Sequence, residues 1–599
     1  MNQCCLIPFR LQPYPTLLLL SLSRAKQDAN NLSSWRHHAI HRRNDDGTGA
    51  IPGSLTHAEV VLRFGGTGLS HDIVPHVNMY NREPRGSIES MTNRLVLIIG
   101  AGPTGLALAL WLTRLGVAVR IIDKTDEPGT TSRALAVQVR TLELYRQLGM
   151  ADSLITRGVK IAGVNLWVKG AKAARVPFQG IGEGLSPYPF VLVFPQDIHE
   201  RLLIERLDAL GVKVERGTEL IRFDEQADGV QAMLKRKAGD EEVCEAAYLA
   251  GCDGASSTVR EHLAVGFPGG TYGGLFFVAD VEADGPTTDG ELHVDLEEAD
   301  FVLVFPLKGK GRLRLVGTVR EPPNGTPHAL TFEDVRGRAV EHLKLDVVRV
   351  NWFSTYHVHH RVASRFRKGR IFLLGDAAHI HSPVGGQGMN TGIGDAVNLA
   401  WKLAAVLRSD AADHLLDTYE AERIAFARRL VATTDRVFTI VTQRGVIARW
   451  IRTKLVPLMA PLLFRVASLR RFFFRTASQI GVNYRHSPLS AGHAGSVHGG
   501  DRLPWVETEP GTGNFDPLTS LVWQVHVYGE PRPGIADVCR KLQLPLHVFP
   551  WHPAMKQAGL KHGSLYLIRP DGYVALADPE SDPERLHRYC DERGVRYSC

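Results

Sequence analysis

At 599 residues the chain is far longer than a single hydrophobic core supports, so two to four domains are expected. With 44% hydrophobic and 22% charged residues, its composition is that of a soluble globular protein. A formal charge of +7 without any Lys/Arg block argues against nucleic acid as a partner, and suits an anionic cofactor or substrate.

Cysteines stand at 4, 5, 244, 252, 539, 590 and 599, an odd and scattered set without C-x-x-C. This argues against a disulfide framework or a metal site, and for a reducing compartment, so a cytoplasmic location is expected. No stretch reaches the roughly 20 apolar residues of an integral membrane segment, and residues 17–20 are too short for a signal core.

Residues 1–92 show little sustained periodicity, and 44–53 and 81–90 are polar and turn-rich. Met91 stands just before the first convincing strand. The expectation is a disordered or mis-assigned extension; a targeting or regulatory arm is the alternative.

Residues 94–99 are an apolar, β-branched run that reads as a buried strand. It breaks at Gly100-Ala101-Gly102-Pro103-Thr104-Gly105, a G-x-G-x-x-G, and strong helix formers follow over 106–115. Gly100 permits the tight turn, Gly102 lets backbone approach a pyrophosphate, and Gly105 lets helix pack on strand. Pro103 suits the first helical turn, whose free N–H groups and dipole favour a phosphate. A second strand over 117–122 ends in Asp123, at the spacing of a carboxylate that holds a ribose hydroxyl. Dinucleotide binding follows; this segment does not choose between NAD and FAD.

Downstream, Arg133 and Arg140 lie close to the dinucleotide unit, either to neutralise pyrophosphate or to decorate a solvated helix. Residues 164–194 read as antiparallel strands, 196–210 as an amphipathic helix, 212–215 as a strand, and 220–235 with 242–250 as a β-meander. At Asp253-Gly254 an apolar run ends in a turn, and small hydroxyl residues open a helix carrying Arg260. The strand-rich stretch 267–358 differs in character from the βαβ start and reads as a second domain.

The run 370–398 carries the strongest signal. A buried strand delivers Gly375-Asp376 at its carboxyl end, where open α/β sheets bind ligands. Pro383, Gly385, Gly386, Gln387, Gly388, Met389 and Asn390 then form a glycine-dense turn before a helix over 391–407. Such glycines suit a backbone lying against a flat ligand. A long helix is expected over 417–443. The basic, apolar stretch 449–475 reads either as an interfacial helix on a membrane or as packing between domains or in a dimer. Strands over 521–528 and 544–549, a hairpin around Pro570-Asp571-Gly572 and a last helix over 583–593 complete the chain.

Three segments in register, at Gly100–Gly105, Asp253–Arg260 and Gly375–Pro383, resemble the fingerprints of the group A FAD-dependent aromatic hydroxylases, which include phenol hydroxylase and p-hydroxybenzoate hydroxylase. The resemblance covers roughly residues 93–599. It implies an α/β fold: a Rossmann-like (GR2-type) FAD domain over 93–160, 196–265 and 359–430, interleaved with an antiparallel-sheet substrate domain over 161–195 and 266–358. A helical connection over 431–490 and a thioredoxin-like domain over 491–599, structural because it lacks C-x-x-C, would follow.

By the same resemblance, Gly100, Gly102, Pro103, Thr104 and Gly105 hold the FAD pyrophosphate and Asp123 the adenosine ribose. Arg133, Arg140 and Gln196 lie along the cofactor, and Asp253 contacts FAD and NAD(P)H. Gly375 belongs to the cofactor site, Asp376 binds the ribityl chain, and residues 383–390 run beside the isoalloxazine. The implied reaction uses NAD(P)H as transient co-substrate and O2, through a flavin C4a-hydroperoxide, to hydroxylate a phenol-like or larger polycyclic aromatic. An acid that phenol hydroxylase places before the Gln-x-Arg-Thr element is Leu135 here, which leaves the catalytic base unnamed. His379 is expected to be structural. An FAD oxidoreductase without oxygen insertion and a flavoprotein sequestering an aromatic drug are the rival readings, and a homodimer is compatible with either.

Overall fold

The computed structural model describes residues 94–129, 134–296, 301–319, 330–382, 384–442 and 445–595. The expectations for residues 1–92, Arg133 and Pro383 lie outside them.

The strand Val96–Ile99 is fully buried and sits at the centre of a six-stranded sheet. It pairs in parallel with Val119–Asp123 on one side and Tyr248–Gly251 on the other, and Ile371–Leu373 continues the parallel run. Strands buried on both faces have no polar side to show, which is why Val96–Ile99 reads as an unbroken apolar run. Tyr248–Gly251 was expected in the β-meander. It leaves the meander (Thr218–Glu225, Val230–Arg236, Glu241–Ala246) after one residue and joins the parallel sheet instead. The helix Pro103–Arg114 is buried from Gly105 to Leu112. It is enclosed by the sheet and by the helices Gln196–Ala209 and Gly388–Leu407, so its apolar character has no preferred face.

A second, eight-stranded sheet is built on a long antiparallel pair, Gly269–Asp284 with Asp346–Val362. The latter, 17 residues long, was not anticipated. Its polar residues fall on both parities and mask the period-two signal. Ala136–Val137, Val191–Val193 and Val159–Ile161 form a separate small sheet. In the carboxy-terminal region, Gln524–Tyr528 pairs in parallel with Leu546–Phe549 and antiparallel with Ser564–Ile568, which continues to Val574–Asp578.

Candidate functional site

The loop between the first strand and the first helix is shaped by close approach. A Cβ on Gly105 would stand 2.0 Å from the Gly100 carbonyl oxygen, so no other residue lets the helix begin there. A Cβ on Gly102, by contrast, would meet nothing within 4 Å among the described residues. No side chain caps this helix start, and Pro103 occupies its first turn, so the free N–H groups face an unfilled side. Asp123, at the end of the neighbouring strand, accepts from Ala101 N at 2.7 Å and from Thr125 N at 2.9 Å, which ties the acid to the loop.

The Gly-Asp segment meets this loop directly. Thr104 is wedged against Gly375 and Gly392: a Cβ on Gly392 would lie 2.2 Å from its hydroxyl oxygen. Glycine within the helix Gly388–Leu407 is thus a packing requirement where two helix starts cross. Asp376 is the exposed member of an otherwise buried turn, Gly375–Ala377, at the carboxyl end of Ile371–Leu373. The helix starts at Gly388, three residues before its expected start. Asn390 clamps the preceding turn to the small sheet: its amide donates to the carbonyls of Ala136 and Gly386, and its Oδ1 accepts from Gln138 N. Gln138 in turn donates to the Gly385 carbonyl. Gly386 therefore abuts Ala136 through the side a Cβ would occupy. Met389 is partly buried against the main core.

Asp395 organises the segment from beneath. Its carboxylate accepts from Gly375 N at 3.0 Å, from His379 Nε2 at 2.7 Å and from Arg423 Nε at 2.6 Å. Burial alone would raise this carboxyl; Arg423 and His379 hold it below the usual range. His379 is accordingly a structural ligand of Asp395. The sequence reading missed both Asp395 and Arg423, although an acid within an apolar, glycine-bearing helix was a visible signal.

Several residues expected at the cofactor have hydrogen-bond partners within the chain. The Arg140 guanidinium, expected along the cofactor, donates to Glu143 at 3.0 Å and to the Asp571 carbonyl at 2.5 Å. It thereby joins the carboxy-terminal region. Asp253 accepts from Ser257 Oγ and Val259 N, so its carboxylate caps its own helix. Arg260 then links that segment to the Ala377 carbonyl. Gln196 opens its helix and donates to Glu200, whose buried carboxyl is pushed up to about 6. Gln387 turns to the Ala477 carbonyl and accepts from Gln479.

Leu135 closes an apolar cluster with Val193, Val278 and Val316, against which Phe305, Trp352 and Tyr356 pack. The position that carries an acid in phenol hydroxylase is thus part of an apolar, aromatic wall. Beside the glycine turn, His381 Nδ1 lies 2.7 Å from the Ser382 carbonyl, which only accepts. The proton is therefore on Nδ1, and Nε2 is a buried acceptor without a partner among the described residues. Burial lowers this imidazole to about 4.

An open face at Gly102, an uncapped helix start and an orphaned acceptor near Gly388 fit an extended dinucleotide with a hydroxylated linker. Fold and site together define a dinucleotide-binding protein with a second, separate antiparallel sheet. The profile of the family described as FAD binding domain matches residues 94–434, and the chain belongs to that family. It is an FAD-dependent monooxygenase. The 6-methylpretetramide 4-monooxygenase of Streptomyces rimosus is 36% identical over 524 residues, covering 82% of this chain and 92% of that protein. The structure of the OxyS anhydrotetracycline hydroxylase from Streptomyces rimosus superposes with a TM-score of 0.67 at 29% identity, covering 84% and 99% of the two chains. The flavin-dependent monooxygenase PieE, solved with FAD and substrate, gives 0.67 at 25% identity over 83% and 99%.

Proposed function

We propose that this enzyme hydroxylates an aromatic substrate of polycyclic rather than single-ring size, with NAD(P)H and O2, in the cytoplasm. The observation that carries the size class is the apolar cluster of Leu135, Val278 and Val316, with the partly buried Phe305, Trp352 and Tyr356 packed on it and no carboxylate at position 135. The named substrates of its relatives, 6-methylpretetramide and anhydrotetracycline, support the same reading.

FAD, when bound, supplies electron transfer and oxygen activation; the chain supplies orientation and exclusion of water. In this reading the loop Gly100–Gly105 and its helix start receive the pyrophosphate, Asp123 the ribose and Asp376 the ribityl chain. Residues 385–390 flank the ring, and the positive end of the helix Gly388–Leu407 favours negative charge on its pyrimidine side. Gln387 and Asn390 act by holding that turn, and Asp253 and Arg140 by positioning the segments that carry it.

The test is NAD(P)H oxidation stimulated by a series of phenols of increasing ring number, with isotope-labelled O2. Stimulation that grows from one ring to several, with label in the product, is expected. Stimulation without label would establish dehydrogenation, and tight binding without stimulation would establish sequestration.

A further inference from the structure

Residues 446–477 form short helices, Val446–Trp450, Val456–Arg465 and Ala467–Ala477, joined through a π-helical turn at Ile451–Leu455. One side of this arm is anchored. Phe474 is buried against Gly182, Phe464 meets Phe178 with ring centroids 6.5 Å apart, and the second helix lies along the edge strand Ala171–Pro177. The other side is bare: Val446, Ile447, Trp450, Leu458 and Phe472 are 57–87% exposed. Large apolar side chains so exposed, and gathered on one segment, mark an interaction surface.

The charge on this arm selects its partner. From 446 to 477 there is no Asp or Glu, against six Arg and one Lys. This arm holds +7 of a total of +7, so the remainder of the chain is net neutral. Among the described residues, Lys454, Arg465, Arg470, Arg471 and Arg475 form no ion pair with an acid. The edge strand that the second helix follows adds Lys172, while its Arg175 is paired with Glu291.

We propose that this arm docks on an anionic phospholipid surface, with Trp450, Leu458, Phe472 and their neighbours entering the acyl boundary and the arginines meeting headgroup phosphates. Exposed aromatic and aliphatic groups interleaved with basic residues, and no span-length helix, are what interfacial binding requires. A second copy of the chain fits less well. An isologous contact would set the same acid-free, basic face against itself. The proposal is independent of the hydroxylase reading, although large aromatic substrates partition into the same surface.

The test uses the full-length holoenzyme and vesicles of phosphatidylcholine alone, or with one part in three of phosphatidylglycerol. Sedimentation with the anionic vesicles only, weakened by salt, is expected. The double substitution Arg470→Gln/Arg471→Gln should weaken it about tenfold or more. Trp450→Ser/Phe472→Ser should weaken it at unchanged charge. Both variants should keep their FAD content and basal NAD(P)H oxidation, which separates loss of docking from loss of fold. Equal binding to both vesicles, binding to neither, variants that bind like the parent, or a solution dimer that shields Trp450 would overturn the proposal.

Discussion

Arg569 donates through both terminal nitrogens to the two carboxylate oxygens of Glu422, at 2.7 and 3.0 Å, across 147 positions of sequence. Glu422 also receives Lys402 Nζ and Asn398 Nδ2 from the helix that opens at the glycine turn, and Ser487 Oγ from the connection. Arg569 also pairs with Asp571, which in turn accepts from Trp401 Nε1. The carboxy-terminal region is thereby fixed to the helix Gly388–Leu407 through groups that are almost wholly inaccessible. Burial alone would raise Glu422; Arg569 and Lys402 hold it far below the usual carboxylate range.

Glu422→Gln keeps the shape but leaves two buried cations facing a neutral amide. The expected loss is about 3–5 kcal/mol of unfolding free energy, the usual result of removing one partner from a buried ion pair. Urea denaturation measures it. A loss below about 1 kcal/mol would mean that the network contributes no more than a surface salt bridge.

Gly102 and Gly105 should respond oppositely to substitution. Gly105→Ala places a Cβ against the Gly100 carbonyl, so the apoprotein should lose about 1–3 kcal/mol of stability. Gly102→Val enters open space, so the apoprotein should keep its melting temperature while FAD binding weakens by at least tenfold, or about 1.4 kcal/mol. Apoprotein melting and FAD titration separate the two. An unchanged FAD dissociation constant for Gly102→Val would place the pyrophosphate elsewhere.

Asp123→Ala should weaken FAD binding by about 1–3 kcal/mol, the scale of a hydrogen bond to a charged group. Because Asp123 also accepts from Ala101 N, Asp123→Asn should lose less by keeping one acceptor for the loop. Flavin fluorescence titration of both variants checks this order.

Acid should destabilise the fold between pH 7 and 5 through buried histidines. His199 is held down to about 3 and His381 to about 4 by burial, so the unfolded chain binds protons that the folded chain refuses. Their stabilisation is complete above the unfolded value and falls as pH drops below it, by about 2 kcal/mol each at pH 5. Glu200, raised to about 6, acts in the opposite sense and offsets about 1 kcal/mol. His199→Gln should flatten the pH dependence of the urea midpoint; an unaltered slope would show that His199 is protonated in the folded state.

The sequence by itself determined the dinucleotide unit, the Gly-Asp segment and the final helix Pro583–Arg593, whose expected limits are those observed. Each depends on local rules: apolar runs, glycine where backbone must turn or touch, and a capped helix start. Tertiary structure decided the rest. That Tyr248–Gly251 leaves its meander, that Asp395 and Arg423 brace the glycine turn, and that Arg140 faces Asp571 all depend on pairings across many positions. A buried polar group must find a partner wherever the fold brings one, and its own neighbours in sequence carry no trace of that partner.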